Sequence, residues 1–171
     1  MEANEFFLTA LSRSEGTLKR ALDGLSPEDL RAQPAGTGSN PIGWLTMHLT
    51  RVQDGWLSRA QGMDSEWDDA GWGAKFGIQG EASQWSPENV HTFDPKNAET
   101  LMAYWTAVKA RTDRYAGSLK AADLDDELPV GRPGAPPMTI AQVLALILGD
   151  NVQHIGQIAY LRGLVKEQGW Y

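Results

Sequence analysis

Residues 143–163, VLALILGDNVQHIGQIAYLRG, constrain this chain more than any other stretch. Val143, Ile147, Ile158 and Leu161 are spaced by threes and fours, the period of one α-helix face. Asp150 and His154 fall on the same stripe. A polar group on a buried stripe costs free energy unless it is hydrogen-bonded or binds something. Thr139 and Gln142 form a capping box that starts this helix, which is expected over 140–165. Gly156, among its apolar positions, predicts the close approach of a neighbouring helix.

Three further segments carry the same period. Phe6, Phe7, Ala10, Leu11, Leu18, Leu22 and Leu25 predict a helix over 2–24. Ser26 followed by Pro27 marks a short helical turn. Asn40-Pro41 opens a helix over 41–60, with Ile42, Leu45, Leu49, Val52 and Trp56 on its apolar stripe. His48 lies on or beside that stripe, and Trp44, one turn earlier, covers the same side. Asp94-Pro95 begins a helix to about 119, with Leu101, Tyr104, Trp105, Val108, Thr112 and Tyr115 on its buried side.

The connections are uneven. Residues 62–93 hold Trp67, Trp72 and Trp85 among acids and glycines with no sustained period, and are expected to be a long irregular loop packed over one end of the helices. Residues 123–127 are acidic and read as a solvated turn, while 131–137, GRPGAPP, read as a rigid connector with room for a short extended form. Gln168, Gly169, Trp170 and Tyr171 form a tail expected to dock. Four long helices and no strand pattern give an all-α bundle in one domain over 1–171, with connections long enough for a crossover.

Composition excludes several functions. Cysteine is absent, which removes disulfides, thiolate ligands and a cysteine nucleophile. A net charge of −7 with cations spread among the helices opposes nucleic-acid binding. Arg13, Lys19, Arg20, Arg51, Arg59, Lys109, Arg111 and Arg114 read as solvated. No run reaches the roughly 20 apolar residues of a bilayer span, and the N-terminus lacks the form of a signal peptide, so a cytoplasmic location is expected.

Asp150 and His154 are i and i+4 and reach one point in space; His48 arrives from another helix. Two imidazoles and a carboxylate form a facial donor set that leaves positions open for water or substrate. Zinc, nickel, iron and manganese all suit these donors. An ordinary hydrogen-bonded core histidine and a plain Asp–His pair are equally open readings of the pattern. Gln157 and Gln53 are candidates to support the site or touch substrate, with Trp44 beside them. Helix packing for Gln157 and a solvated face for Gln53 and Asp54 are the simpler alternatives. His91 is expected to be exposed, the three tryptophans to pack, and Arg162 to satisfy local carbonyls at its helix C-terminus.

The segment His154-Ile155-Gly156-Gln157-Ile158-Ala159-Tyr160-Leu161-Arg162-Gly163 resembles the last-helix signature of the DinB/YfiT-like metalloprotein superfamily, H-x-G-Q followed by an L-R element. Asn40-Pro41-Ile42-Gly43-Trp44-Leu45-Thr46-Met47-His48-Leu49 resembles its second-helix motif. The resemblance implies a four-helix bundle of up-down-down-up crossover topology, a homodimer, and a three-histidine divalent metal site. By position, the ligands are His48, residue 150 and His154. Where the family usually has histidine, this chain has Asp150. Characterised members include bacillithiol- and mycothiol-dependent S-transferases, so the resemblance implies a small-molecule enzyme, with a low-molecular-weight thiol as a second cofactor. A metal-free bundle that binds a small ligand or a partner is the alternative.

Overall fold

The computed structural model describes residues 2–78, 87–131 and 134–169. Helix α1 spans Ala3–Leu22, the short α2 Pro27–Arg31, and α3 Ile42–Gln61. The turns α4 (Glu66–Asp69), α5 (Trp72–Lys75) and α6 (Pro87–Thr92) precede α7, Ala98–Ser118. A 3₁₀ turn at Ala121–Asp125 leads to β1, Glu127–Leu128, which pairs antiparallel with β2, Met138–Thr139, before the long α8, Ile140–Lys166. The four expected helices are present within a few residues of their expected ends. The expected loop over 62–93 is partly helical: α4, α5 and α6 lie in it. The two-residue ladder begins at the end of the acidic turn and pairs with Met138–Thr139, just past the proline-rich connector. Trp85, Trp170, Tyr171 and the side chain of His91 lie outside the described residues.

Side-chain contacts fix the directions of the long helices. Arg162 of α8 donates to Ala21 O and Asp23 O at the end of α1, so α1 and α8 run parallel. Asn4 donates to Ala116 O and Leu119 O, and Lys109 pairs with Glu15, so α1 and α7 are antiparallel. Gly43 meets Pro95 and Gln53 meets Thr112, so α3 and α7 run parallel. His48 meets His154 and Gln53 meets Asn151, so α3 and α8 are antiparallel. The main pairings are α1–α8, α8–α3, α3–α7 and α7–α1, placing α1 opposite α3 and α7 opposite α8. This is the up-down-down-up crossover. Because α3 and α7 are parallel neighbours, the chain between them must travel back along a 20-residue helix, about 30 Å. That distance explains why this connection is the longest.

The helix ends follow local chemistry. Ser26 and Thr139 cap α2 and α8 through capping boxes, with Thr139 Oγ1 accepting from Gln142 N at 3.2 Å. Helix α7 begins later than expected because Asn97, rather than Asp94, caps it by accepting from Thr100 N at 2.8 Å.

Helix α3 is the enclosed member of the bundle. It packs on α2, α4, α7 and α8, and its first six residues are all buried. Its polar face is buried too. Thr46, Thr50 and Ser58 return their hydroxyls to Ile42 O, Thr46 O and Asp54 O, and so bring no unsatisfied donor into the core. Glycine is required at position 43: a Cβ there would lie 2.5 Å from Pro95 Cβ and 3.1 Å from Leu30 O. Gly156 differs from expectation. It is exposed, and a Cβ on it would meet nothing within 4 Å.

Gly43→Ala is therefore expected to destabilise the fold by roughly 1–3 kcal/mol, the usual cost of overpacking. Gly156→Ala should be neutral or stabilising, because alanine is the better helix former by about 1 kcal/mol. Denaturant melts of both variants check the pair, and equal effects would contradict the packing described.

Candidate metal centre

Three side chains on two antiparallel helices converge. His48 comes from the second turn of α3, and Asp150 and His154 from successive turns of α8. One donor atom from each lies within 4.8 Å of the other two, and all three residues are half-buried. The imidazoles of His48 and His154 stand edge to face, with centroids 4.8 Å apart and planes at 90°. Asp150 Oδ1 lies 3.5 Å from His154 Nε2, an ion-pair separation rather than a short hydrogen bond. Its other oxygen, Oδ2, is buried without a hydrogen-bond partner.

Gln157, exposed one turn further along α8, sets the state of His154. Its Oε1 accepts from Nδ1–H at 2.7 Å, so in the neutral ring Nε2 carries the lone pair and faces Asp150. A proton and a cation then compete for the same nitrogen. The electrostatics of the two histidines diverge. Burial lowers the imidazole pKa of His48 below its ordinary 6.5, the proximity of His154 adds to this, and Asp150 opposes it. Asp150 raises that of His154 above 6.5 as its acceptor, with help from Gln157 and against burial.

The expected supporting residues divide. Trp44 is buried one turn before His48 and packs edge-on to Phe93 at 5.6 Å. Gln53 is fully buried, which corrects the solvated alternative, and it turns away from the triad into a ladder across three helices. Asn151 Nδ2 donates to Gln53 Oε1 at 3.1 Å and to Ile147 O at 2.9 Å. Gln53 Nε2 donates to Thr112 Oγ1 at 2.8 Å, and that hydroxyl donates to Val108 O at 2.9 Å. Asn151 adjoins Asp150, so the ladder holds the register of α8 on α3 beside the triad.

Asp54 is likewise buried rather than solvated. It accepts from Glu66 N at 2.9 Å, Trp67 N at 2.8 Å and the Tyr104 hydroxyl at 2.8 Å. Burial and this carboxylate together push the Tyr104 phenol far above its usual range. Asp54 thus caps α4 from inside the bundle. Trp67 and Trp72 pack on Tyr104, at 5.5 and 5.1 Å between ring centroids, and both are buried as expected. Arg111 corrects another expectation: it is 8% exposed, donates to Asp64 O at 2.8 Å, and pairs with Glu66 and Asp69. Arg162 satisfies carbonyls as expected, but those of α1 rather than its own helix. The signal for Asp54 was present in the spacing of Thr46, Thr50, Asp54 and Ser58, a polar row at i, i+4 along α3.

The family model described as the DinB superfamily matches residues 10–158. The chain belongs to the DinB superfamily. No curated protein matches this DinB chain in sequence. A solved structure titled as a conserved protein from Enterococcus faecalis shares its fold, with a TM-score of 0.87 at 24% identity, covering 98% of this chain and 99% of that one. The DinB fold thus places a His/Asp/His cluster able to hold a metal ion between α3 and α8.

Proton NMR titration of the metal-free protein should show His48 titrating below 6.5 and His154 above it. Asp150→Asn should bring His154 down. Because Asp150 raises the folded pKa of His154, its stabilising effect is fully present below pH 6.5 and disappears as pH rises through the raised value. The stability difference between wild type and Asp150→Asn should shrink with rising pH. A difference that grows instead would overturn the assignment.

Proposed function

We propose that this DinB-superfamily protein is a divalent-metal-dependent enzyme acting on a small molecule, with His48, Asp150 and His154 as the metal ligands. One observation carries the reading: a buried carboxylate oxygen without a hydrogen-bond partner, set beside two imidazole groups. Leaving such an oxygen unsatisfied is costly, and a divalent cation is the partner that suits it and both nitrogens together. When bound, the ion would supply Lewis acidity and lower the pKa of a thiol or water at an open position. The protein's own residues do the rest. Gln157 keeps Nε2 of His154 available, the Gln53–Asn151–Thr112 ladder holds the two helices in register, and Trp44 excludes water beside His48. The resemblance to thiol-dependent S-transferases of the superfamily supports a low-molecular-weight thiol as the activated group and S-transfer as the reaction.

The metal-free protein is expected to take up close to one Mn²⁺, Fe²⁺, Ni²⁺ or Zn²⁺ per chain, and His154→Phe to lose it while remaining helical. Elemental analysis after reconstitution checks this. A wild type that binds none of the four favours the alternative, a metal-free bundle with a buried polar network.

We further propose that the functional unit is a homodimer formed through the α1/α8 face. A groove of about 650 Å³ lies there, lined by Ala10, Leu148, Val152, Ile155, Ala159 and Tyr160 among others. Val152 and Tyr160 are 58% and 67% exposed. Together the two helices offer about 800 Å², from a length of about 40 Å and a width of about 20 Å, which is the size of a standard interface per partner. Light scattering is expected to show a dimer for wild type and a monomer for Tyr160→Glu, with metal content unchanged. A dimeric Tyr160→Glu would place the interface elsewhere. Among the described residues no helix is long and apolar enough to cross a membrane.

A further inference from the structure

We infer that Asp150 is the residue that sets metal specificity, biasing the site toward oxygen-preferring ions, Mn²⁺ and Fe²⁺, relative to a site of three imidazoles. The inference rests on the metal-site reading above and assigns one ligand its own role within it.

Three observations carry it. The first is the donor set: within the cluster, Asp150 supplies the only oxygen ligands, and His48 and His154 supply nitrogen. Imidazole suits zinc, copper and nickel, whereas carboxylate suits magnesium, calcium and manganese. The second is the state of the carboxylate. Its Oδ2 is buried without a hydrogen-bond partner, and Oδ1 has only the 3.5 Å approach of His154 Nε2. By contrast, Asp54, fully buried in the bundle core, accepts three hydrogen bonds at 2.8–2.9 Å that engage both of its oxygens. Helix α3 therefore carries a carboxylate with both oxygens hydrogen-bonded, and α8 one whose buried oxygen is left over beside the imidazoles. The third is charge. Among the described residues, the ion pair of Asp150 is with His154, and no lysine or arginine pairs with it. A bound divalent ion thus meets one full negative charge, the electrostatic feature that favours hard cations over soft ones and that a third imidazole would lack.

The site's surroundings let that choice matter. Gln157 orients His154, and the buried ladder from Asn151 through Gln53 to Thr112 fixes the helix carrying Asp150. Replacing Asp150 therefore changes the donor with little freedom for the helices to adapt.

The test measures dissociation constants for Mn²⁺ and Ni²⁺ by titration calorimetry on the full chain, for wild type, Asp150→His and Asp150→Asn. Circular dichroism confirms that each is folded. Asp150→His is expected to shift the ratio of the two constants toward Ni²⁺ by about tenfold or more, through tighter nickel and weaker manganese binding. Should Asp150→His fail to fold, Asp150→Asn serves: it should lose Mn²⁺ affinity by more than it loses Ni²⁺ affinity. An unchanged ratio in the folded variants would overturn the inference while leaving the metal site standing. Wild type binding neither ion would overturn both.

Discussion

Helix α3 can be buried on most of its circumference because each polar side chain it takes into the core meets a partner. Thr46, Thr50 and Ser58 return their hydroxyls to the helix itself, Gln53 bridges α7 and α8, and Asp54 gathers two backbone amides and a phenol. Unsatisfied, any one of these groups would cost about 1–3 kcal/mol, and an unpaired carboxylate more. Satisfied, they act as directional couplings where apolar packing alone would allow sliding. The register of α3 against α8, and with it the meeting of His48 with Asp150 and His154, depends on this set.

The same constraint organises the long connection. Asp54 caps α4 from within the bundle, Arg111 pairs with its acids, and Trp67 and Trp72 close over Tyr104. Arg51 lies 4.1 Å above the Trp67 ring and covers it from the solvent side. Residues that must return along the bundle, because α3 and α7 are parallel, thereby become part of its core. The triad departs from this pattern of hydrogen-bonded groups on α3. Asp150 keeps a buried oxygen without a hydrogen bond beside two imidazoles, whereas Asp54, the carboxylate that α3 buries, has both oxygens hydrogen-bonded.

Much of this was legible in the chain. The four long helices follow from apolar positions at threes and fours, and the capping box at Thr139 and Gln142 marked the start of α8. His48, Asp150 and His154 stood out because polar residues interrupted apolar stripes. Gln53 and Asp54 were misread for one reason. Local periodicity assigns one face to the core and the other to water, but α3 is covered by four other elements, so its second face is buried as well. The partners of those residues lie 12 to 98 positions away, at Glu66, Tyr104 and Asn151, and only the crossover brings them together. Gly156 erred in the opposite sense: a small residue on a helix suggested a close neighbour, and within this chain the close neighbour belongs to Gly43. The two-residue ladder of β1 and β2 is too short to leave a period.

The most direct measurement is anomalous diffraction from crystals of the protein loaded with Mn²⁺, recorded at a wavelength where manganese scatters strongly. The account predicts one peak per chain, at bonding distance, about 2.0–2.3 Å, from an imidazole nitrogen of His48, one of His154 and an oxygen of Asp150. A metal-free triad closed by direct hydrogen bonds, with any manganese bound elsewhere on the surface, would contradict it.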